Sequence, residues 1–255
     1  GLGIPAEPLF RSSYSKVVDT SNLILPATTL KNYCYMEMFY NCTSLITVPE
    51  LPATTLTKHC YRGMFYACAS LTTAPSLPAT TLADYCYEEM FRGCRSIATA
   101  PSLPATTLAK GCYEYMFGTC TNLTTAPDLP ATTLASSCYS FMFYECASLT
   151  TAPVLSATTL IDYCYQGMFS DCTSLTTAPV LPATTLANGC YYYMFQNCTS
   201  LNYIKCLATN ISANNCTKSW VYNVAQSGTF VKDPSMNSWT TGVNGIPSNW
   251  TVVDA

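Results

Sequence analysis

The chain has 255 residues, with 11 Lys plus Arg, 14 Asp plus Glu and one His, for a net charge of −3. Charged residues are only 10% of it, against about 25% in a typical soluble protein, so Thr, Ser, Asn and Tyr must supply the polar surface. The absence of any basic cluster argues against nucleic acid and against an anionic membrane surface as partner, and no apolar run approaches the roughly 18 residues of a spanning helix.

Residues 1–24 do not match the repeat that follows well. Val17, Val18, Leu23 and Ile24 are predicted to supply a first strand, in an N-terminal cap over the open end. From Leu25 a block of 26 residues repeats seven times, with starts at Leu25, Leu51, Leu77, Leu103, Leu129, Leu155 and Leu181. The unit reads L-P-A-T-T-L-x-x-x-C-Y-x-x-M-F-x-x-C-x-S-L-T-T-A-P-x. A fixed period of this length is the signature of a solenoid, because each unit buries its apolar face only against its neighbours. The repeat therefore overrides the two-domain prior that length alone would give.

Within the unit Leu77–Ser102, Thr81 is a candidate helix N-cap with Asp84 three residues later, and Thr159 with Asp162 repeats the pair. From Leu82 to Cys94 the spacing predicts a helix. At 100° per residue the invariant Cys, Tyr, Met, Phe and Cys fall within roughly 0–140°, and the variable positions fall at roughly 200–340°. The invariant side is the predicted core face. Residues 96–101 then predict a short parallel strand of about three residues, ended by a Pro that has no N–H to donate. Helices need roughly 8–10 Å of lateral room and strands about 4.8 Å, so the expected stack curves with helices outside.

The repeat C-x-S-L-T-x-x-x-P, with its aromatic-plus-Cys segment, resembles the BspA-like leucine-rich repeats of bacterial surface proteins over about residues 25–230. Two features depart from that pattern: C-Y-x-x stands before M-F, and the strand's apolar position is mostly Ala (Ala74, Ala100, Ala126, Ala152, Ala178). The expected fold class is α/β, a right-handed leucine-rich-repeat solenoid of strand-helix units with strands inside. The resemblance implies a secreted or cell-surface adhesion protein. The chain begins at Gly1 without an initiator Met, so no leader is read from it.

Residues 25–206 hold the seven units. Residues 207–255 carry a degenerate eighth unit, with Trp220 at the Met position and Val221 at the Phe position, and then a C-terminal cap. Gly228 reads as a helix stop. Gly-Thr-Phe-Val (228–231) and Trp-Thr-Val-Val (250–253) read as short strands. All three Trp residues lie here, as expected where a core has no next repeat to cover it.

Fourteen of the 16 Cys are two per repeat, eight apart. On a helix that is about 12 Å, and equivalent Cys on adjacent helices are roughly 8–10 Å apart, beyond the roughly 7 Å limit for a disulfide. They are read as buried free thiols, with a Cys206–Cys216 pairing left open. With no C-x-x-C, no metal site is expected. His59 is read as an exposed residue without a role. The scattered carboxylates, including adjacent Glu88 and Glu89, which do not share a helix face, make no catalytic pair. Six N-x-S/T triplets, at Asn41, Asn122, Asn197, Asn210, Asn215 and Asn249, are read as chance.

No catalytic residue, cofactor or metal is therefore expected. Two surfaces are candidates for binding a protein or polysaccharide ligand. One is the variable helix face with Tyr40, Tyr66, Tyr115, Phe141, Tyr144, Tyr192 and Tyr193, which could also simply pack on neighbouring helices. The other is the strand face, with its column of Thr73, Thr99, Thr125, Thr151 and Thr177 (begun by Thr47). That regular lattice suits a repetitive ligand, a polysaccharide or less readily ice. Function is expected to be non-catalytic recognition or adhesion by a monomer, or else a spacer in a stalk or fibre.

Overall fold

A computed structural model describes residues 17–255; of the N-terminal cap expected over 1–24, residues 1–16 lie outside them. The strand side of the stack is parallel, as expected. Single-residue bridges join Thr99 to Thr125, Thr125 to Thr151 and Thr177 to Tyr203, and a second row joins Thr29 to Thr55 and Thr55 to Thr81. Ahead of the first unit, Asp19 bridges to Thr47, and the Val18 carbonyl accepts from the Ile46 N–H at 2.8 Å.

Among the described residues, full strands form only near the C-terminus. β1 (Tyr203–Cys206), β2 (Thr229–Lys232) and β3 (Thr251–Asp254) pair in parallel in that order. The sequence explains the change. Lys205 stands where the earlier units carry Pro, which restores an N–H and lets the ladder widen.

The predicted helix is absent: no residue described is α-helical. Every second N–H of that segment reaches sideways to the next unit instead. In the first unit Tyr33 donates to the Lys58 carbonyl (3.0 Å), Tyr35 to Cys60 (2.9 Å), Glu37 to Arg62 (2.8 Å), Phe39 to Met64 (2.9 Å) and Asn41 to Tyr66 (2.7 Å). The N–H groups between them close local turns, Met36 to Tyr33 (3.3 Å) and Met38 to Tyr35 (3.3 Å) among them. This alternation needs a left-handed residue at every fourth position, as at Tyr33 (φ 62°), Glu37 (φ 55°) and Asn41 (φ 58°).

A helix satisfies its own N–H groups. Here an identical neighbour presents a carbonyl at each rung, so lateral bonds replace internal ones. The turn face is therefore a continuous hydrogen-bonded ladder, the strand side is bridged at intervals, and the extra width that helices would have forced on the outer side is gone. The expected capping box also fails. Asp84 and Asp162 instead accept from the backbone N–H of Lys110 and Asn188 in the next unit, each at 3.2 Å.

The core is a set of columns of like residues. Tyr35, Tyr61, Tyr87, Tyr113, Tyr139, Tyr165 and Tyr191 stack in one, and Phe39 to Phe195 stack in another with centroids 5.5 to 5.9 Å apart. Both columns end on Trp220, whose ring lies 6.1 Å from Tyr191 and 6.2 Å from Phe195. Thr217 and Val221 occupy the shrunken Tyr and Phe positions, so one indole fills the space of three side chains. Trp239 then stacks on Trp220 at 5.7 Å. Gly228 is no helix stop: a Cβ there would lie 2.3 Å from the Asn202 carbonyl oxygen, so its role is close backbone approach.

The cysteine geometry also changes. Rungs at about 4.8 Å place equivalent Cys of adjacent units within bridging reach, so separation is not what keeps them apart. All 16 are nonetheless free, Cys206 and Cys216 included. In the second column each thiol donates to the Phe carbonyl of the preceding unit: Cys68 to Phe39 (3.1 Å), Cys94 to Phe65 (3.0 Å), Cys120 to Phe91 (3.1 Å). Burial pushes the Cys60 and Cys68 thiols up to about 12, which leaves almost no reactive thiolate at neutral pH. In native protein a polar thiol reagent is expected to label Cys34, the one half-exposed cysteine, ahead of the rest. After denaturation without reductant all sixteen should react, and fewer would mean bridges between rungs.

Candidate binding surface

On the turn face the variable positions form their own columns, and the left-handed ones follow a rule. A ring in one unit folds over the residue one unit on. Tyr33, His59 and Tyr85 stack with centroids 4.9 and 5.0 Å apart, and the next residue in the column is Gly111. A Cβ on Gly111 would lie 2.4 Å from the Tyr85 ring. Phe141 lies over Gly167 and Tyr163 over Gly189 in the same way, at 2.2 and 2.3 Å from such a Cβ. Each of these three runs thus ends on a glycine.

The structure brings together five of the seven aromatics singled out from the sequence. Tyr40 stacks on Tyr66 at 4.9 Å, Tyr115 on Phe141 at 4.7 Å, and Tyr144 meets Tyr115 and Phe141 edge-on at 6.1 and 5.9 Å. Arg92, not singled out, joins the two groups. Its guanidinium lies 4.5 Å from the Tyr115 ring and 5.8 Å from Tyr66, and Glu89 holds it at 2.6 Å. All five rings are half-buried. Tyr192 and Tyr193 pair with each other, hydroxyl to hydroxyl at 2.9 Å. Tyr193 shares the column of Tyr115 and Phe141, and Gly167 stands between.

Beside this patch lies a charge cluster. Arg62 meets Glu88 at 2.8 Å, Glu89 at 3.5 Å and Glu37 at 3.9 Å. Without a helix, Glu88 and Glu89 do reach one partner, contrary to expectation. His59 is not an exposed bystander either. It is sandwiched between two Tyr rings, 3.5 Å from Glu88, and burial, with Arg62 next, lowers its pKa.

Burial, then the Glu88 and Glu89 carboxylates, push Glu114 up to about 7 from the usual 4.5. The folded chain thus holds a proton that the unfolded chain releases, so this group favours folding at low pH and costs stability as pH rises from 4.5 to about 7. Glu114→Gln is expected to raise stability by roughly 1–2 kcal/mol at about pH 8, discounted for solvent screening, and to leave it unchanged near pH 4. Chemical denaturation at the two pH values checks this.

The Thr columns lie on the strand side. Thr73, Thr99, Thr125, Thr151 and Thr177 are all exposed, and so are the residues before them, Thr72, Ala98, Thr124, Thr150 and Thr176. The array is therefore two residues wide. Among the described residues no group of three or more His, Cys, Asp or Glu could hold a metal ion. Nor is any helix there long and apolar enough to cross a membrane.

The sequence profile of the BspA type leucine rich repeat region matches residues 11–126 and 90–219, in six copies. The chain belongs to the BspA-type leucine-rich repeat family. No curated protein matches it. A crystallised leucine-rich repeat protein from Bacteroides ovatus ATCC 8483 is similar at 14% identity, over 89% of this chain and 74% of that one, with a TM-score of 0.34.

Sequence reasoning missed Arg92, because a lone Arg at a variable position carries no motif. The signal that could have placed it was its unit position, which it shares with Tyr40, Tyr66 and Tyr144.

Proposed function

We propose that this BspA-type protein is a non-catalytic recognition module, acting outside the cell or at its surface, that binds host proteins or glycans through the aromatic patch around Arg92. One observation carries the reading. On a scaffold that otherwise repeats itself, five half-exposed aromatics of the first five units form two groups that Arg92 joins. Rigid rings with polar tips and a stacked guanidinium make strong contacts at low entropic cost.

The test is a binding screen against host matrix proteins and glycans, with Tyr40→Ala, Tyr66→Ala and Tyr144→Ala combined. None of these rings covers a glycine, so the thermal midpoint should hold. Affinity for any ligand found should fall at least about tenfold. Unchanged affinity would rule the patch out, and an unfolded variant would assign these rings to unit packing. The exposed Thr array is the second candidate face, and replacing Thr99, Thr125 and Thr151 by Ala in the same screen separates the two.

A spacer without a ligand of its own is the second reading. The unbroken ladder of lateral bonds on the turn face supports it, since such a stack suits holding another domain at a distance. It gains if no ligand emerges from the screen.

A further inference from the structure

The lateral bonds of the turn face run as a series. The N–H of Asn41 meets the Tyr66 carbonyl at 2.7 Å, and the same bond joins Ala67 to Arg92 (2.7 Å), Gly93 to Gly118 (2.8 Å), Thr119 to Tyr144 (2.6 Å), Glu145 to Ser170 (2.9 Å), Asp171 to Gln196 (2.7 Å) and Asn197 to Tyr222 (2.8 Å). Asn223 is the eighth member, with the same left-handed backbone at φ 58°. Its N–H meets no acceptor among the described residues.

The cap is the reason. Its coil passes under Ser219 and Val221, where Asn244 Oδ1 accepts from the Ser219 N–H at 2.7 Å and the Val243 carbonyl from the Val221 N–H at 3.3 Å. It then turns away before reaching Asn223. A cavity of about 370 Å³ opens at that point. Val221, Val224, Val243 and Pro247 give it apolar walls, and the amides of Asn223, Gln226 and Asn249 line it too. No ionisable side chain lines it.

We propose that this cavity binds an N-acetylated hexosamine unit of a neutral glycan, with the acetamido carbonyl accepting the Asn223 N–H. Seven equivalents show what that donor is oriented to meet: a carbonyl oxygen. The valines suit the acetamido methyl and the C–H face of a sugar ring, and three amides suit its hydroxyls. The lack of charge disfavours phosphates and carboxylates. The site lies in the cap, apart from the aromatic patch, and stands or falls independently of it.

The test is a titration of the isotope-labelled full chain with N-acetylglucosamine, with glucose as control, followed by amide resonances. The Asn223 amide should shift saturably at millimolar sugar, and glucose should bind at least about tenfold more weakly. Val243→Trp, at an exposed position, should fill the cavity and cut affinity at least about tenfold with an unchanged melting midpoint. Gln226→Ala, also exposed, should weaken binding severalfold and serves if the Trp variant does not fold. A silent Asn223 amide, equal binding of glucose, or full affinity in the folded variants would overturn the proposal.

Discussion

Deleting residues 207–255 should leave a chain that aggregates, although no regular repeat is lost. Tyr191, Met194, Phe195 and Leu201, all at most 1% exposed, would face water. At about 25 cal/mol per Å², a few hundred Å² of such surface costs several kcal/mol, comparable to a domain's whole stability margin. The rung of N–H and C=O groups in the seventh unit would also lose its partner and become a template for association. Deleting one internal unit rejoins compatible surfaces, and the structure says which unit to choose. Removing 129–154 sets Tyr115 over Gly167, as Phe141 is now. Removing 103–128 sets Tyr85 over Ser137, where a Cβ already stands. Soluble yield and thermal unfolding should rank the internal deletion 129–154 first, 103–128 next and the cap deletion last. A folded, monomeric cap deletion would refute the role given to Trp220.

Gly167→Ala should cost about 3 kcal/mol, large for one added methyl group, because Gly167 is buried. The left-handed backbone (φ 58°) accounts for about 1–2 kcal/mol of it. The rest is overpacking, because the new Cβ would meet the Phe141 ring at 2.2 Å. Removing the ring should relieve that part, so Phe141→Ala with Gly167→Ala should be less destabilised than the sum of the single changes by roughly 1–2 kcal/mol. Denaturant unfolding of the four proteins measures the coupling. Additive effects would mean that the ring does not lie over the glycine.

These glycines also show how far the sequence could be read. The repeat, the parallel strand side and the invariant core positions were legible, because near-identical units must stack like on like. The strands at 228–231 and 250–253 were read within one residue of their places. The helix was misread. Its core residues occupy one side of a helical wheel, yet an alternation of turns and rungs buries the same set. The contrary signal lay in the variable positions: Gly63, Gly93, Gly111, Gly167 and Gly189 all fall inside the supposed helix, where each would cost about 1 kcal/mol. At the last left-handed position of the segment, five of the eight units carry Asn41, Gly93, Asp171, Asn197 or Asn223, residue types that tolerate such a backbone. No propensity shows a hydrogen bond made 25 residues away. For the same reason the disulfide argument reached free thiols through a spacing that does not exist. The aromatic patch was half legible: its rings are visible as residues, but the arginine that joins them and the glycines that seat them are matters of register.

The central claim is that lateral bonds between units, and not helices, hold the turn face. Far-ultraviolet circular dichroism of the folded chain tests it most directly. The expected spectrum lacks the paired minima of α-helix, and native-state hydrogen exchange should find the N–H groups of Tyr61, Gly63 and Phe65, each bonded to the next unit, among the best protected. A spectrum in which roughly a third of the residues are helical, as one helix per unit would give, would contradict it.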